Sequence, residues 1–223
     1  MKSSRLAVIK DKRFGEHKTP ESHPESPARI TAINNLVQRF RSEYDFLETR
    51  EATEEEIAST HSPGYIEDLY KMSEVAINTD SLIRIDPDTL MSPRSYTTAK
   101  LAVGAALEGI DCLAKKNHDS CFVAVRPPGH HALADRAMGF CLFNNVAIAA
   151  NQAKSKGFKR IFILDYTSIL SGRLALAIGT SSAKKTGKAT ISISLCPKVP
   201  GTSDISDAWT KSSDRFVWTT NRI

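Results

Sequence analysis

The sequence predicts an α/β fold organised around a parallel sheet. Residues 121–125 and 160–164 are continuously apolar and bounded by turn-forming residues, which is the pattern of strands buried on both faces. Residues 142–156 lie between them and have the alanine-rich composition of a helix. A strand, a helix and a strand in this order are typical of a right-handed crossover unit in a parallel sheet. Ligands bind such sheets beyond the carboxyl ends of the strands, so chemistry is expected in the loops after Val125 and Leu164.

The elements before this unit are predicted in order along the chain. Residues 6–10 form a short buried strand, and a helix begins near Pro27, because proline suits the first helical turn. The helix carries apolar residues at helical spacing: Ile30, Ile33, Leu36, Val37 and Phe40. Thr53 and Glu56 have the spacing of a capping box and open a short helix that ends near Thr60.

Two longer helices are predicted next. The dipeptide Ser62-Pro63 begins a helix with four apolar or aromatic residues on one face: Tyr65, Ile66, Leu69 and Tyr70. The periodicity stops at residues 86–89, which indicates a loop. The dipeptide Ser92-Pro93 then begins the longest helix, which runs to about Lys116 and contains small residues that permit close packing.

The composition excludes several classes of protein. The chain has 223 residues, of which 41% are apolar and 25% are charged, as in an ordinary globular protein. No apolar run is long enough to span a membrane, and residues 6–9 are too short an apolar stretch for a signal peptide. The four cysteines lie far apart with no CxxC pair, which disfavours a disulfide framework or a thiolate zinc site. We therefore expect an intracellular protein, in the cytoplasm or nucleus, without a membrane partner.

The formal net charge of +5 is confined to the C-terminal part of the chain. Residues 170–223 contain eight basic and three acidic residues, whereas residues 1–169 are neutral overall. The sequence therefore predicts a first domain and a divergent basic tail, which is expected to be poorly ordered because it lacks periodicity apart from residues 189–195. Nucleic-acid binding is not expected, because the tail's basic cluster has no interleaved aromatic residues: Lys184, Lys185 and Lys188.

Residues 126–145, with the sequence RPPGHHALADRAMGFCLFNN, carry the groups best suited to chemistry. His130 and His131 follow a predicted buried strand and a stiff Pro-Pro-Gly turn. Adjacent side chains on a loop diverge, so one imidazole can act as general base on a water while the other acts as an acid or an electrostatic partner. An isolated pair of histidines is more often a solvated turn, but this context favours a catalytic role.

Three blocks of the sequence resemble the histone deacetylase family, particularly its class II and acetylpolyamine deacetylase-like branch. They are HPESPARI at residues 23–30, IDPDTLMSPRSYTTAKLAVGAALEG at 85–109 and RPPGHHALADRAMGFCLFNNVAIAA at 126–150. The resemblance covers residues 5 to about 165, which match the N-terminal portion of the family's domain. It implies a truncated three-layer fold of the arginase/deacetylase type. It also implies zinc-assisted hydrolysis of an acetyl-lysine or acetylpolyamine amide.

The resemblance also implies roles for individual residues. His130 and His131 match the pair that activates water and protonates the leaving amine. Phe140 and Gly139 match a wall of the channel that holds the acyl-lysine stem, where an apolar ring packs against methylene groups. Asp88, or alternatively Asp86, matches a rim acid that binds the substrate backbone, but either could be an ordinary loop residue. Cys141 matches a residue near the reaction pocket, but could be a core cysteine. Arg29 matches an arginine at the inner end of the tunnel, but could be a solvated charge.

The sequence departs from the family at the end of the second apolar strand. The family continues as Asp-x-Asp-x-His, in which the second Asp and the His bind zinc and the first Asp orients a catalytic histidine. This chain retains the first acid, Asp165, but has Thr167 and Ile169 at the two zinc positions. A catalytic zinc site generally needs three protein ligands and a water, and the tail has no recognisable counterpart of the family's later ligand and catalytic tyrosine. We therefore expect no bound zinc and no activity. The alternative is a non-catalytic remnant that binds partners or acyl groups.

The sequence also suggests how the break arose. Codons for Asp-Val-His, read from the second base, can spell Thr-Ser-Ile, which are the residues at 167–169. A frameshift, alternative splicing and a gene-model error are the three hypotheses, and sequencing the transcript across this junction distinguishes them. Truncation is also expected to leave the strand at 160–164 without its usual neighbours, and so to make the protein poorly soluble.

Overall fold

A computed structural model describes residues 6–166, 177–179 and 188–194. In chain order its helices and strands are β1 (Leu6–Lys10), α1 (Pro27–Arg39), β2 (Asp45–Leu47), α2 (Glu54–Ala58), α3 (Pro63–Thr79), β3 (Ile83–Arg84), β4 (Leu90–Met91), α4 (Ser95–Ala114), β5 (Ser120–Ala124), α5 (Asn145–Ser155), β6 (Arg160–Tyr166), β7 (Ala177–Gly179) and β8 (Lys188–Ser194). No helix in this part of the chain is long and apolar enough to cross a membrane.

Six of the strands form one sheet in the order β2-β1-β5-β7-β8-β6, and β3 and β4 form a separate hairpin. β1 pairs in parallel with β2 and β5, and β6 pairs in parallel with β8. β7 runs antiparallel to both β5 and β8. The predicted parallel sheet is therefore confirmed except at β7. The strands of the predicted crossover unit, β5 and β6, are parallel in the same sheet, but β7 and β8 lie between them.

The helix starts follow local hydrogen-bonding chemistry. α1 begins at Pro27, as predicted. The predicted capping box is present at α2: the Glu56 N–H donates to Thr53 Oγ1 at 3.3 Å, and the Thr53 N–H donates to the Glu56 carboxylate at 2.8 Å. At α3 the Tyr65 N–H donates to Ser62 Oγ at 3.4 Å. These side chains satisfy amides that the first helical turn cannot pair.

Two helices begin later than the sequence predicts. α4 begins at Ser95, because the Ser95 N–H donates to the Ser92 carbonyl at 2.9 Å and closes a turn in front of the helix. α5 begins at Asn145 rather than Leu142, because the Asn144 side chain accepts from the Ala147 N–H at 3.0 Å and caps the helix. The predicted helical face of α3 also needs correction, since Tyr70 is 47% exposed.

α4 packs against the sheet at a glycine. A Cβ added to Gly109 would lie 3.0 Å from Val123 Cγ2 of β5. The apolar side chains around this contact form the core between α4, α5 and the strands β1 and β5. A side chain at position 109 would therefore crowd Val123, so glycine favours the close approach of α4 to β5.

β6 is a strand as predicted, but the prediction that it is buried is wrong. Phe162 is 60% exposed and Ile163 is 43% exposed, whereas Ile161 packs against the core. A strand is buried on both faces only when each face is covered, and in the described part of the chain β6 lies at the edge of the sheet.

The divergent tail contributes β7 and β8 to the sheet. β8 (Lys188–Ser194) coincides with the periodic stretch at residues 189–195, which the sequence did not assign to a helix or a strand. The remaining tail residues, 170–176, 180–187 and 195–223, lie outside the described residues, as do Thr167 and Ile169. The expectation that the tail is poorly ordered therefore stays a prediction.

Candidate active site

The two adjacent histidines lie in the loop that follows β5, beyond the carboxyl end of the strand. The ring centroids of His130 and His131 are 3.9 Å apart and the rings are tilted by 57°. His130 is half-buried and His131 is exposed. Gly129 fixes the loop against the start of α5, since a Cβ there would lie 2.4 Å from both the Phe143 carbonyl and the Asn145 side chain.

Burial gives His130 an unusual protonation equilibrium. The pKa of His130 is lowered to about 4, first by desolvation and then by the nearby His131, and the charge of Asp165 offsets part of this lowering. His130 Nε2 is buried and accepts or donates no hydrogen bond within the part of the chain described here. The imidazole is therefore neutral at pH 7 and is able to accept a proton.

The end of β6 carries an acidic residue that acts on this site through its charge. Asp165 occupies the next-to-last position of β6 and is exposed. Its carboxylate is close enough to His130 for its charge to act on the imidazole. Asp165 therefore lies within electrostatic range of His130, and its catalytic role stays a prediction.

Gly139 and Phe140 form a tight turn over His131. Both have positive φ, +57° and +67°, as in a type I′ turn, and Met138 and Cys141 exchange backbone hydrogen bonds of 3.2 and 3.0 Å across it. A Cβ on Gly139 would lie 2.7 to 2.8 Å from three atoms of His131. Glycine is therefore required at position 139 for both its conformation and its contact.

The loop that contains Asp88 supports this turn from outside. The Gly139 N–H donates to Asp88 Oδ1 at 3.2 Å, and the Phe140 N–H donates to Thr89 Oγ1 at 3.0 Å. His23 packs edge-on against Phe140 with a centroid distance of 4.9 Å. Asp86 instead accepts from the backbone of its own loop. Of the two alternative rim acids, Asp88 is the one in contact with the channel-wall turn.

Cys141 lies behind the turn and is fully buried. Its Sγ–H donates to the Gly139 carbonyl at 3.2 Å. Burial raises the pKa of the Cys141 thiol to about 12. The side chain is therefore a neutral thiol that supports the turn, not an activated nucleophile.

A buried ion pair that the sequence analysis did not single out lies under the His loop. Arg126 Nε donates to Glu25 Oε1 at 2.5 Å, and Arg126 Nη1 donates to the backbone carbonyls of Phe14 and His17. Burial lowers the pKa of Arg126, and the charge of half-buried Arg29 lowers it further. The sequence offered one signal for this pair: Glu25 and Arg126 are opposite charges that lie within the HPES and RPPG segments. Charged side chains are seldom buried unless they are paired.

His17 completes this buried cluster. Its Nε2 lies 3.5 Å from Glu25 Oε2, and its Nδ1 lies 2.6 Å from Ser95 Oγ at the start of α4. Burial lowers the pKa of His17. The cluster therefore joins the segment before α1, the first turn of α4 and the residue that precedes the His loop.

The described residues do not fit a catalytic zinc ion. Among them no group of three or more His, Cys, Asp or Glu side chains could hold a metal. The rings of His130 and His131 are 3.9 Å apart and Asp165 acts on His130 only through its charge, whereas a protein zinc site requires at least three ligands converging on one point. Thr167 and Ile169 lie outside the described residues, and the chemistry of their side chains gives no imidazole or carboxylate.

Comparison with known proteins identifies the family. Residues 23–167 match the histone deacetylase domain family. An uncharacterized protein of Synechocystis is 38% identical over 72% of this chain and 53% of its own length. Histone deacetylase 14, chloroplastic, of Arabidopsis thaliana is 35% identical over 73% of this chain and 42% of its own. Polyamine deacetylase HDAC10 of Rattus norvegicus is 40% identical over 66% of this chain and 26% of its own.

A solved structure agrees with these relatives. The crystal structure of the HDA15 HD domain matches with a TM-score of 0.67 and 31% identity, and covers 74% of this chain and 47% of that one. The chain therefore belongs to the histone deacetylase family. Its predicted α/β fold of the arginase/deacetylase type is confirmed. The chain spans from about a quarter to about half of the length of these relatives.

Proposed function

We propose that this chain carries the tandem-histidine half of a deacetylase site and does not itself catalyse hydrolysis. One observation supports the proposal: a neutral, half-buried His130 lies beside His131 and within range of the charge of Asp165, while the two positions that bind zinc in the family are Thr167 and Ile169 in this chain. The base is present, and the ligands that follow it in the family are absent from the sequence.

The substrate class follows from the relatives and from the shape of the wall. Two of the relatives named above are deacetylases by name, and one of these two is a polyamine deacetylase. The wall formed by Phe140 and His23 suits the methylene stem of an acetylated lysine or an acetylpolyamine, because apolar rings pack well against CH₂ groups. Exposed Asp88 at the edge of this wall suits a donor on the substrate, either a backbone amide or an ammonium group.

The residues of this chain would divide the work of a complete site as follows. Neutral His130 accepts the proton of the attacking water, His131 supplies the proton to the leaving amine, and Asp165 holds the charge that develops on His130. In full-length members of the family a zinc ion would polarise the amide and acidify the water. Without a zinc ion, His130 and His131 alone cannot lower the activation barrier of amide hydrolysis enough, so we expect no turnover.

Zinc content and turnover together test the proposal. The purified full chain is dialysed against zinc and then against zinc-free buffer. Two quantities are then measured: the zinc content per chain, and the rate of hydrolysis of acetyl-lysine peptides and acetylpolyamines. We expect far less than one zinc per chain and no hydrolysis above the variant with His130→Ala and His131→Ala. About one zinc per chain, with turnover that His130→Ala abolishes, would contradict the proposal and show that the tail supplies ligands.

A second function, binding without catalysis, has an observation in its favour. The Gly139–Phe140 turn is supported by Asp88, Thr89 and His23, all within residues 6–166. If the chain binds acyl groups, an acetyl-lysine peptide should bind, and Phe140→Ala should weaken binding at least tenfold. Tyr70→Ala, at an exposed aromatic on α3, is the matched control. Equal binding of acetylated and unacetylated peptide would contradict this function.

A further inference from the structure

The turn that carries the His pair is held by hydrogen bonds that connect it to the start of α5. The Ala132 N–H donates to the Gly129 carbonyl at 3.1 Å, which closes a turn with His130 and His131 at its centre. The Ala132 carbonyl in turn accepts from Asn144 Nδ2 at 2.9 Å. The conformation of the turn therefore depends on the conformation of Asn144, the residue that caps α5.

The backbone of Asn144 has an unusual conformation. Its φ is −80° and its ψ is 76°, and the Asn145 N–H donates to the Phe143 carbonyl at 2.9 Å, as in an inverse γ-turn. In this conformation the Asn144 side chain accepts from the Ala147 N–H at 3.0 Å and also holds the His turn. The Asn144 N–H lies in front of the helix, so it needs a partner from elsewhere in the chain.

His61 is that partner. It lies between α2 and α3 and is 2% exposed, and its Nε2 accepts from the Asn144 N–H at 2.8 Å. Because a backbone N–H can only donate, Nε2 is unprotonated and the proton of the neutral ring is on Nδ1. Burial lowers the pKa of His61, so the ring is neutral at pH 7. Nδ1 makes no hydrogen bond within the described residues, so the bond to Asn144 fixes the orientation of the ring.

Two neighbours of His61 hold the same segment at other points. The Ser62 N–H donates to the Ala134 carbonyl at 2.9 Å. The Tyr65 Oη–H donates to the Leu142 carbonyl at 2.6 Å. The junction between α2 and α3 therefore holds the chain that follows the His pair at three points, and His61 makes the contact that leads back to the turn.

We propose that His61 is a positioning residue for the His pair, because its bond to the Asn144 N–H fixes the turn that contains His130 and His131. This role rests on the proposed function, which takes His130 as the base. Loss of the acceptor should loosen the turn and admit water to His130. The pKa of His130 should then rise, since burial is the main cause of its low value.

NMR of the folded full chain, isotopically labelled in nitrogen, tests the hydrogen bond directly. We expect a scalar coupling between the Asn144 amide nitrogen and His61 Nε2, which only a hydrogen bond transmits. We also expect the proton of the His61 ring on Nδ1. A folded chain that shows no such coupling, or a His61 ring protonated on Nε2, would overturn the proposal even if no variant folds.

Variants of His61 test whether this bond positions the site. His61→Leu removes the acceptor and should raise the pKa of His130 from about 4 towards about 6.5. His61→Gln, whose amide oxygen reaches about as far as Nε2, should keep the pKa of His130 near its wild-type value. His118→Leu is the matched control, because it removes a half-buried histidine that bonds to Asp45 before the other end of β5.

The His118→Leu variant should lose stability without any change in the pKa of His130. An unchanged pKa of His130 in His61→Leu, or an equal rise in His61→Gln or His118→Leu, would show that His61 does not position the pair. These measurements use neither zinc nor substrate. Bound zinc with turnover would therefore contradict the proposed function alone, and a missing bond between His61 and Asn144 would contradict the positioning role alone.

Discussion

His130 owes its chemistry to its surroundings. An exposed histidine titrates near 6.5, whereas burial and the neighbouring His131 lower the pKa of His130 to about 4. The imidazole is kept neutral because its charged form would lose solvation and be repelled by a second ring. His131 is exposed, so the two histidines occupy different environments although they are adjacent in the sequence.

This difference predicts how His130 titrates. By NMR, His130 should show a pKa of about 4. His131→Ala should raise the pKa of His130, because it removes a neighbour that lowers it, and Asp165→Asn should lower the pKa of His130, because it removes a carboxylate that raises it. Thr97→Ala, at an exposed position on α4, serves as the control and should leave the value unchanged.

The same shift predicts a pH dependence of stability. The folded pKa of His130 lies below the unfolded one, so the unfolded chain binds the proton more readily. The contribution of His130 to stability is therefore complete above about pH 6.5 and declines as the pH falls towards 4. Urea unfolding at several pH values should show a decline over this range that His130→Gln reduces. An equal decline in both proteins would contradict the assignment to His130.

Gly139 makes a second prediction at the scale of the residue. Gly139→Ala should lower the free energy of unfolding by about 2 kcal/mol, because alanine disfavours positive φ and its Cβ would overlap His131. Gly64→Ala, in the first turn of α3 with no atom within 4 Å of the added Cβ, is the matched control and should lose nothing. Urea denaturation compares the two, and equal effects would contradict the role of the turn.

At the scale of the element, the His loop depends on a buried ion pair. Arg126 directly precedes the loop, and its hydrogen bonds to Glu25, Phe14 and His17 tie β5 to the segment before α1. A charge at this depth is stable only because it is paired, since desolvation of either partner alone is costly. The loop geometry is therefore set by residues that are distant in sequence.

Removal of one partner should reveal this dependence. Arg126→Leu should lower the free energy of unfolding by about 3 to 5 kcal/mol, because it leaves Glu25 buried without its partner. The double variant Arg126→Met with Glu25→Gln should recover part of this loss. Arg13→Leu breaks an exposed pair with Asp11 and should cost less than about 1 kcal/mol. Similar costs for Arg126→Leu and Arg13→Leu in chemical denaturation would contradict the structural role.

At the scale of the whole molecule, β6 lies at the edge of the sheet in the described part of the chain. Its apolar residues Phe162 and Ile163 are exposed. An exposed apolar edge strand is a template for association with another chain. The surface of β6 is therefore expected to be prone to self-association.

Charge on this strand should separate association from folding. Phe162→Lys should shift the protein towards monomer in sedimentation velocity with little change in Tm, because the side chain is already 60% exposed. Ile161→Lys, at a neighbouring position that packs against the core, should instead destabilise the protein. If the Phe162→Lys variant self-associates as strongly as the wild type, the exposed surface of β6 is not the cause of self-association.

The sequence by itself determined the local features of this protein. The capping box at Thr53, the helix start at Pro27 and the strands β1, β5 and β6 follow from patterns a few residues long, because capping and alternation act between near neighbours. The His pair was recognisable for the same reason, since its motif is contiguous. The histone deacetylase family was identified from three such blocks.

Only the tertiary structure decided the features that depend on distant residues. The exposure of Phe162 and the position of β7 and β8 between β5 and β6 depend on which segments pack together, and no local pattern records that. The hydrogen bond between the Gly139 N–H and Asp88 joins residues far apart along the chain. The low pKa of His130 depends on burial, and burial is a property of the assembled molecule because it arises from groups brought together by folding.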